Sequence, residues 1–436
     1  MAIVLLRKVN FICVCLPLIF LFIFGGYSKG FPHHLREEYE FSEQYFKEDT
    51  LTGNWNGYRS KIWALGFAPE IEYFGETFYD PVGGMREQVE YAGLVDLDFH
   101  IDLDRAVGLD DTRILVAFVG THGTNPSANL GTAQTVSSLE AGDTFQFFQA
   151  WIETFLFHEH VSLKAGIYSI DTEFDFKESA NLFINGAFGT GLDLSETGVA
   201  GPAIFPNATL GVRMAYKSGT GWYAQAAVLD GVPGVVGDTT GTRLRLDSGD
   251  GVQVAGEVGF EKISEGGFIN KIGVGSLVYS TDVMDLAAMT PAGNPVIHNG
   301  TFSLYGFIDW LLWTEPTNPG NGLKGLLRFG RADENTARFD YTFTGGLVYT
   351  GLIPSRDKDT TGLGISLAHN SNAYKTGQRN AGEGVDDIEM VVEGTHQIWV
   401  IPGLTLQPTL QYFFNPGSNP DLDHTLYLGF NFGLIF

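Results

Sequence analysis

The chain has 436 residues, room for two or three ordinary domains or for one large barrel. Its 51 Asp and Glu against 26 Lys and Arg, a formal net charge of -25, exclude the basic footprint that a nucleic-acid partner needs. With 34 Phe, 17 Tyr and 56 Gly, the composition suits strands and turns better than helices.

The first stretch, MAIVLLRKVNFICVCLPLIFLFIFGGYSKG, carries Arg7 and Lys8, an apolar run from Val9 to Phe24, and then Gly25, Gly26 and Ser28. This is the layout of a secretory signal peptide, expected over residues 1–28 with cleavage between 28 and 30. Both cysteines, Cys13 and Cys15, fall inside it. A disulfide scaffold and a cysteine metal site are therefore excluded from the exported chain. Beyond the signal, no apolar run reaches the roughly 18 residues that argue for a spanning helix. Residues 29–69 are expected as an N-terminal segment on the periplasmic side, followed by a barrel over 70–436.

The strands are read from alternation. In VDLDFHIDLD, Val95, Leu97, Phe99, Ile101 and Leu103 alternate with Asp96, Asp98, His100, Asp102 and Asp104. Successive side chains of a strand point to opposite faces, so one face here is greasy and the other acidic. The same pattern recurs near 70–78, 90–104, 112–120, 145–157, 161–168, 208–217, 222–230, 251–261, 269–280, 300–312, 323–331, 340–350, 360–369, 388–400, 404–414 and 424–436. Most of these segments have the length of a strand crossing the hydrocarbon layer at a tilt of about 45°. Every second connection is short, and most of the others are long, including 121–144, 169–207, 231–250, 281–299 and 370–387.

That alternation predicts an all-β transmembrane antiparallel barrel of about 16 strands, of the outer-membrane porin type, with both termini periplasmic. An even strand number closes the sheet without an edge, which matters where no water can satisfy backbone groups. Val95, Leu97, Phe99, Ile101 and Leu103 would then face lipid. Asp96, Asp98, His100, Asp102 and Asp104 would face a watery lumen, where carboxylates stay solvated. A barrel of this size leaves an aqueous channel.

The longest connection, Ile170 to Asn207, is too long for a bare turn. Its phenylalanines, Phe174, Phe176, Phe183, Phe188 and Phe205, need burial, so the loop is expected to fold into the barrel mouth and narrow it. Asp171, Glu173 and Asp175 would then stand near the constriction, with Arg213, Arg328 and Arg331 on strands nearby. Carboxylates, arginines and aromatic faces suit sugars, and they suit other small solutes as well.

Several segments resemble the carbohydrate-selective porin (OprB) family: LTGNWNGYRSKIWALGF, AGIYSIDTEFDFKESANLFINGAFG, LGVRMAYKSGTGWYAQAAVLDGVPG, GRADEN, GGLVYTGLIPSRDKDTTGLGIS and PGLTLQPTLQYFFNPGSNP. The likeness runs from about Leu51 to Phe436. It implies facilitated diffusion of neutral sugars, glucose in particular, across the outer membrane. Its motifs fall on Asp171, Thr172, Glu173, Phe174, Asn181, Phe183 and Asn185, and on Arg331 and Asp333, which become candidate pore residues. Asn54 stands where the family pattern has an acidic residue.

Other chemistries fit less well. Asp98, His100 and Asp102 share a face, but same-face neighbours on a strand lie about 6.5–7 Å apart, too far for short aspartates to chelate one ion. His158, Glu159 and His160 form a turn without helical metal-ligand spacing, and G-x-S-x-G is missing. No catalytic residue, metal or cofactor is expected. A general porin, or an outer-membrane enzyme or adhesin, are the competing readings. Small sugars and outer-membrane lipid are the expected partners, nucleic acid is not, and a homo-oligomer is compatible with the sequence.

Overall fold

The computed structural model describes residues 41–85, 88–234 and 246–436; the expected signal peptide lies outside them. Sixteen strands among the described residues form one closed antiparallel barrel. They are β1 Phe67–Val82, β2 Val89–Asp102, β3 Thr112–Gly123, β4 Thr144–Leu156, β5 Val161–Tyr168, β6 Thr209–Lys217, β7 Trp222–Asp230 and β8 Val252–Ile263. The second half comprises β9 Ile269–Met289, β10 Pro295–Glu315, β11 Asn318–Ala332, β12 Phe339–Thr350, β13 Thr360–Asn370, β14 Ile388–Ile401, β15 Leu404–Phe414 and β16 Thr425–Ile435. Each strand pairs with its sequence neighbours, and β1 closes on β16 with Glu76 opposite Asn431. No backbone edge is left for lipid to meet.

Period two sets the faces. On β6, Leu210, Val212, Met214 and Tyr216 are exposed on the outside, whereas Thr209, Gly211, Arg213 and Ala215 are buried within. On β16, Leu428 and Phe430 are exposed while Tyr427 and Asn431 point inward. An apolar exterior around a polar interior is the arrangement a bilayer demands.

On β2, Asp98 lies opposite Glu70 and Asp96 opposite Glu72, on the inner side. Leu103 and Asp104 correct the expectation, because the strand ends at Asp102 and one helical turn, Leu103–Val107, follows. Asp102 caps that turn by accepting from the Arg105 backbone N–H at 3.1 Å, and left-handed Gly108 stops it. The Asp and Gly brackets win over alternation there. The expected 281–299 loop is also mostly strand, with only residues 290–294 connecting β9 and β10.

At the short-turn end sit two helices, Glu43–Glu48 and Tyr58–Ala64. Phe41, Phe46, Trp63 and inward-facing Ala68 form their shared core. The Leu51 N–H donates to the Ile435 carbonyl at 2.7 Å, tying the segment to the end of β16.

Candidate functional site

The interior is occupied by the loop between β5 and β6, residues 169–208, which crosses the lumen and is pinned to the wall strand by strand. The Asp175 N–H donates to Glu257 of β8 at 2.8 Å. Ser179 donates to Asp309 of β10 through N–H at 2.9 Å and Oγ at 2.6 Å. The N–H groups of Ile184 and Asn185 donate to the two oxygens of Glu393 on β14, at 2.7 and 2.9 Å. Gln407 of β15 reaches the Leu182 carbonyl at 2.7 Å. Inward carboxylates on these strands thus act as acceptors for loop backbone that would otherwise be buried without partners.

The strongest pin is Arg328 on β11. Its guanidinium donates to Asp175 at 2.7 Å, to Asp193 at 2.6 and 3.2 Å, and to Thr342 at 2.9 Å. All three charged side chains are sealed from solvent. Lys177 joins them through Asp175 at 2.8 Å, and burial pushes its ammonium down to about 8. The loop's apolar side is equally fitted. Phe183 and Phe188 stack at 4.2 Å over Gly346, Gly362 and Gly364. A side chain at Gly362 would approach Leu182 to 2.7 Å, so the glycines form the floor the rings need.

A second loop, residues 124–143, also turns inward. Glu389 of β14 accepts from the N–H groups of Ala133 at 2.9 Å and Gln134 at 2.6 Å. Gln411 of β15 bonds the Val136 carbonyl at 2.8 Å, and Leu130 and Val136 pack with Phe78 and Tyr427.

Against these loops stands the wall of β1 to β6. Glu70, Glu72, Asp96 and Asp98 line β1 and β2, all retaining some exposure. His100 lies 3.6 Å from Glu70 and 4.0 Å from Asp98. Further round, Arg113 bonds Glu153 at 2.7 Å, and Arg213 bridges Glu153 at 2.8 Å and Glu173 at 2.6 Å, with Lys164 also on Glu173. Burial alone would raise the Glu173 carboxyl, but Arg213 and Lys164 outweigh it and hold it well below its ordinary range. An acidic strip therefore adjoins a charge-balanced strip to which the loop itself is tied through Glu173.

The expected residues separate into three groups. Asp96, Asp98, His100, Asp171, Glu173 and Arg213 lie on or beside this wall, and Asn181 is exposed on the loop. Asp175, Asn185 and Arg328 lie inside the barrel as buried pins rather than free lumen surface. Arg331, Asp333 and Asp102 are corrections. Arg331 sits three residues from Arg328, so it faces outward, 5.2 Å over the Tyr341 ring. Asp333 caps the tight 333–338 turn by accepting from Asn335, and Asp102 holds Arg105 at the rim.

A sixteen-strand barrel narrowed by inward loops invites comparison with known channels. The family model described as carbohydrate-selective porin, OprB family, matches residues 86–436. The chain belongs to the OprB family of carbohydrate-selective porins. It is 25% identical to Porin B of Pseudomonas aeruginosa, over 95% of this chain and 96% of that one. The high-pH structure of Pseudomonas putida OprB superposes with a TM-score of 0.83 at 21% identity, covering 90% of this chain and 100% of that one. The outer-membrane channel DcaP of Acinetobacter baumannii shares the barrel more loosely, with a TM-score of 0.51 at 10% identity over 85% and 98% of the two chains.

As an OprB-family member the chain is an outer-membrane porin for carbohydrates, built as a channel rather than as an enzyme. Sequence reasoning missed the carboxylates that seat this porin's loops: Glu257, Asp309, Glu389 and Glu393. Their signal was present as single acidic residues at inward positions of otherwise apolar or small-residue strands, as in MVVEG around Glu393.

Proposed function

We propose that this porin passes glucose and similar small sugars by facilitated diffusion, along the side of the lumen bounded by β1 to β6 and the inner edge of the 169–208 loop. The long-loop end faces outward, and both termini lie in the periplasm, as short turns on that side favour. The supporting observation is the pinned loop. It leaves Glu70, Glu72, Asp96 and Asp98 as partly exposed acceptors on one side and the partly exposed Arg113 and Glu173 on the other. Sugar hydroxyls both donate and accept, so they exchange water for this wall at little net cost. Half-buried Phe74 and Phe176 supply apolar contact for ring C–H groups. Asp171, Glu173 and Asn181 are the loop residues proposed to touch the solute; Arg213, buried between Glu153 and Glu173, acts by holding Glu173 in place, and Arg328, Asp175 and Asn185 act by holding the loop. Transport needs no catalysis, cofactor or metal in this scheme, and one barrel is sufficient whether or not copies associate.

The test is liposome swelling with glucose, maltose and an amino acid of similar size, joined to single-channel current in a planar bilayer. Faster swelling with sugars, and current reduced by glucose but not by the amino acid, is the expected result. Equal passage of all solutes would reduce the protein to a general porin.

A further inference from the structure

The N-terminal segment carries a feature that the channel does not use. Glu43, Lys47, Thr52, Asn54, Trp55, Asn56 and Gly57 line an open groove of about 570 Å³. Trp55 is 40% exposed, its indole N–H is fixed on Thr52 Oγ1 at 2.9 Å, and the Arg59 guanidinium backs its ring at 4.9 Å. Arg59 itself is buried, stacked on Phe46 at 4.3 Å, so the platform is rigid. Trp55, Asn56 and Gly57 take φ values of 46°, 55° and 86° in succession. Two consecutive residues with side chains in the left-handed region are costly, and such conformations gather where a ligand is held. Asn54 is committed to Ser60 at 2.8 to 3.1 Å, whereas the Asn56 amide is exposed and makes no side-chain hydrogen bond among the described residues.

We propose that this groove is a second carbohydrate site, binding a pyranose as it leaves the lumen. A part-exposed indole with a free amide and the Glu43–Lys47 ion pair at its rim matches a sugar ring, which has an apolar C–H face and an edge of hydroxyls that donate and accept. Its position fits an exit site. Phe41 packs 5.0 Å from His100, Tyr45 bonds Glu70, and Asp49 pairs with Lys358 at 3.2 Å, so the segment docks at the end of the acidic wall, and the groove opens on the side of the Glu43–Glu48 helix opposite Tyr45. The choice of ligand rests on the sugar-porin reading above.

The experiment uses the full exported chain labelled with 5-fluorotryptophan, with the Trp55 resonance assigned by Trp55→Phe and titrated with glucose by fluorine NMR. Liposome swelling is run on the same preparation. A saturable shift of the Trp55 resonance, weakened about fivefold by Asn56→Gly, is the expected result. The glycine relaxes the backbone rather than straining it, so that variant folds. A Trp55 resonance unmoved by glucose, in a protein whose liposomes swell normally, would overturn the second site and leave the sugar porin intact. An equal shift with the open-chain polyol glycerol would also overturn it, since no ring would then be recognised. A saturable shift without sugar-driven swelling would support the groove and sink the porin reading instead.

Discussion

Removing Arg328 is the sharpest perturbation of the pinned loop. In Arg328→Met the volume is nearly kept, while Asp175 and Asp193 lose the cation they share at 2.7 and 2.6 Å. Breaking a buried ion pair from one side costs about 3–5 kcal/mol, because a charge is left stranded. Here Asp175 keeps Lys177 at 2.8 Å and Asp193 keeps Ser303 at 3.0 Å together with Thr342, so the lower end applies. A loss of about 3 kcal/mol raises the ratio of released to seated loop roughly a hundredfold. Single-channel recording should show larger conductance and added low-frequency noise, and limited proteolysis should cut within residues 170–207. Adding Asp193→Asn should recover part of the loss, since it removes one stranded charge, and the double-mutant cycle isolates that coupling. Conductance, noise and cleavage indistinguishable from the parent would refute the claim that Arg328 seats the loop.

Further outcomes follow from the facing of the strands and from the charge pattern. Leu97→Arg should destabilise the barrel by about 2–4 kcal/mol in urea unfolding from liposomes, while Asp98→Arg, one residue away and inward, should cost far less; equal losses would contradict the facing of β2. The acidic strip should let small cations pass more readily than anions, and Asp96→Asn with Asp98→Asn should reduce that preference, read as a reversal potential in a salt gradient; an unchanged potential would show that this strip does not set the field. The Glu173 carboxyl is depressed from its ordinary 4.5 in the folded chain, so its contribution is present above that value and lost only as pH falls through the depressed one. The difference in loop cleavage between the parent and Glu173→Gln should therefore persist from about pH 8 to about pH 5, and its disappearance by about pH 6 would count against the Arg213 and Lys164 explanation.

The sequence by itself determined the strands and their two faces, because lipid outside and water inside impose a period of two that a pleated strand expresses residue by residue. The alternation of Val95, Leu97, Phe99 and Ile101 with Asp96, Asp98 and His100 was legible for that reason. Parity could also have turned Arg331 outward, since an odd separation from Arg328 on one strand puts the two on opposite faces. The break at Leu103 was local too, written in an Asp cap and a Gly stop. Only the closed barrel decided which inward carboxylates meet the lumen and which meet backbone. Asp98 and Glu393 are both acidic and both inward, yet the first stays partly exposed while the second is buried under the N–H groups of Ile184 and Asn185, more than 200 positions away. That assignment depends on where a long loop comes to rest once its phenylalanines find the glycine floor of β12 and β13. Side-chain alternation along a strand carries no record of a partner so remote in the chain.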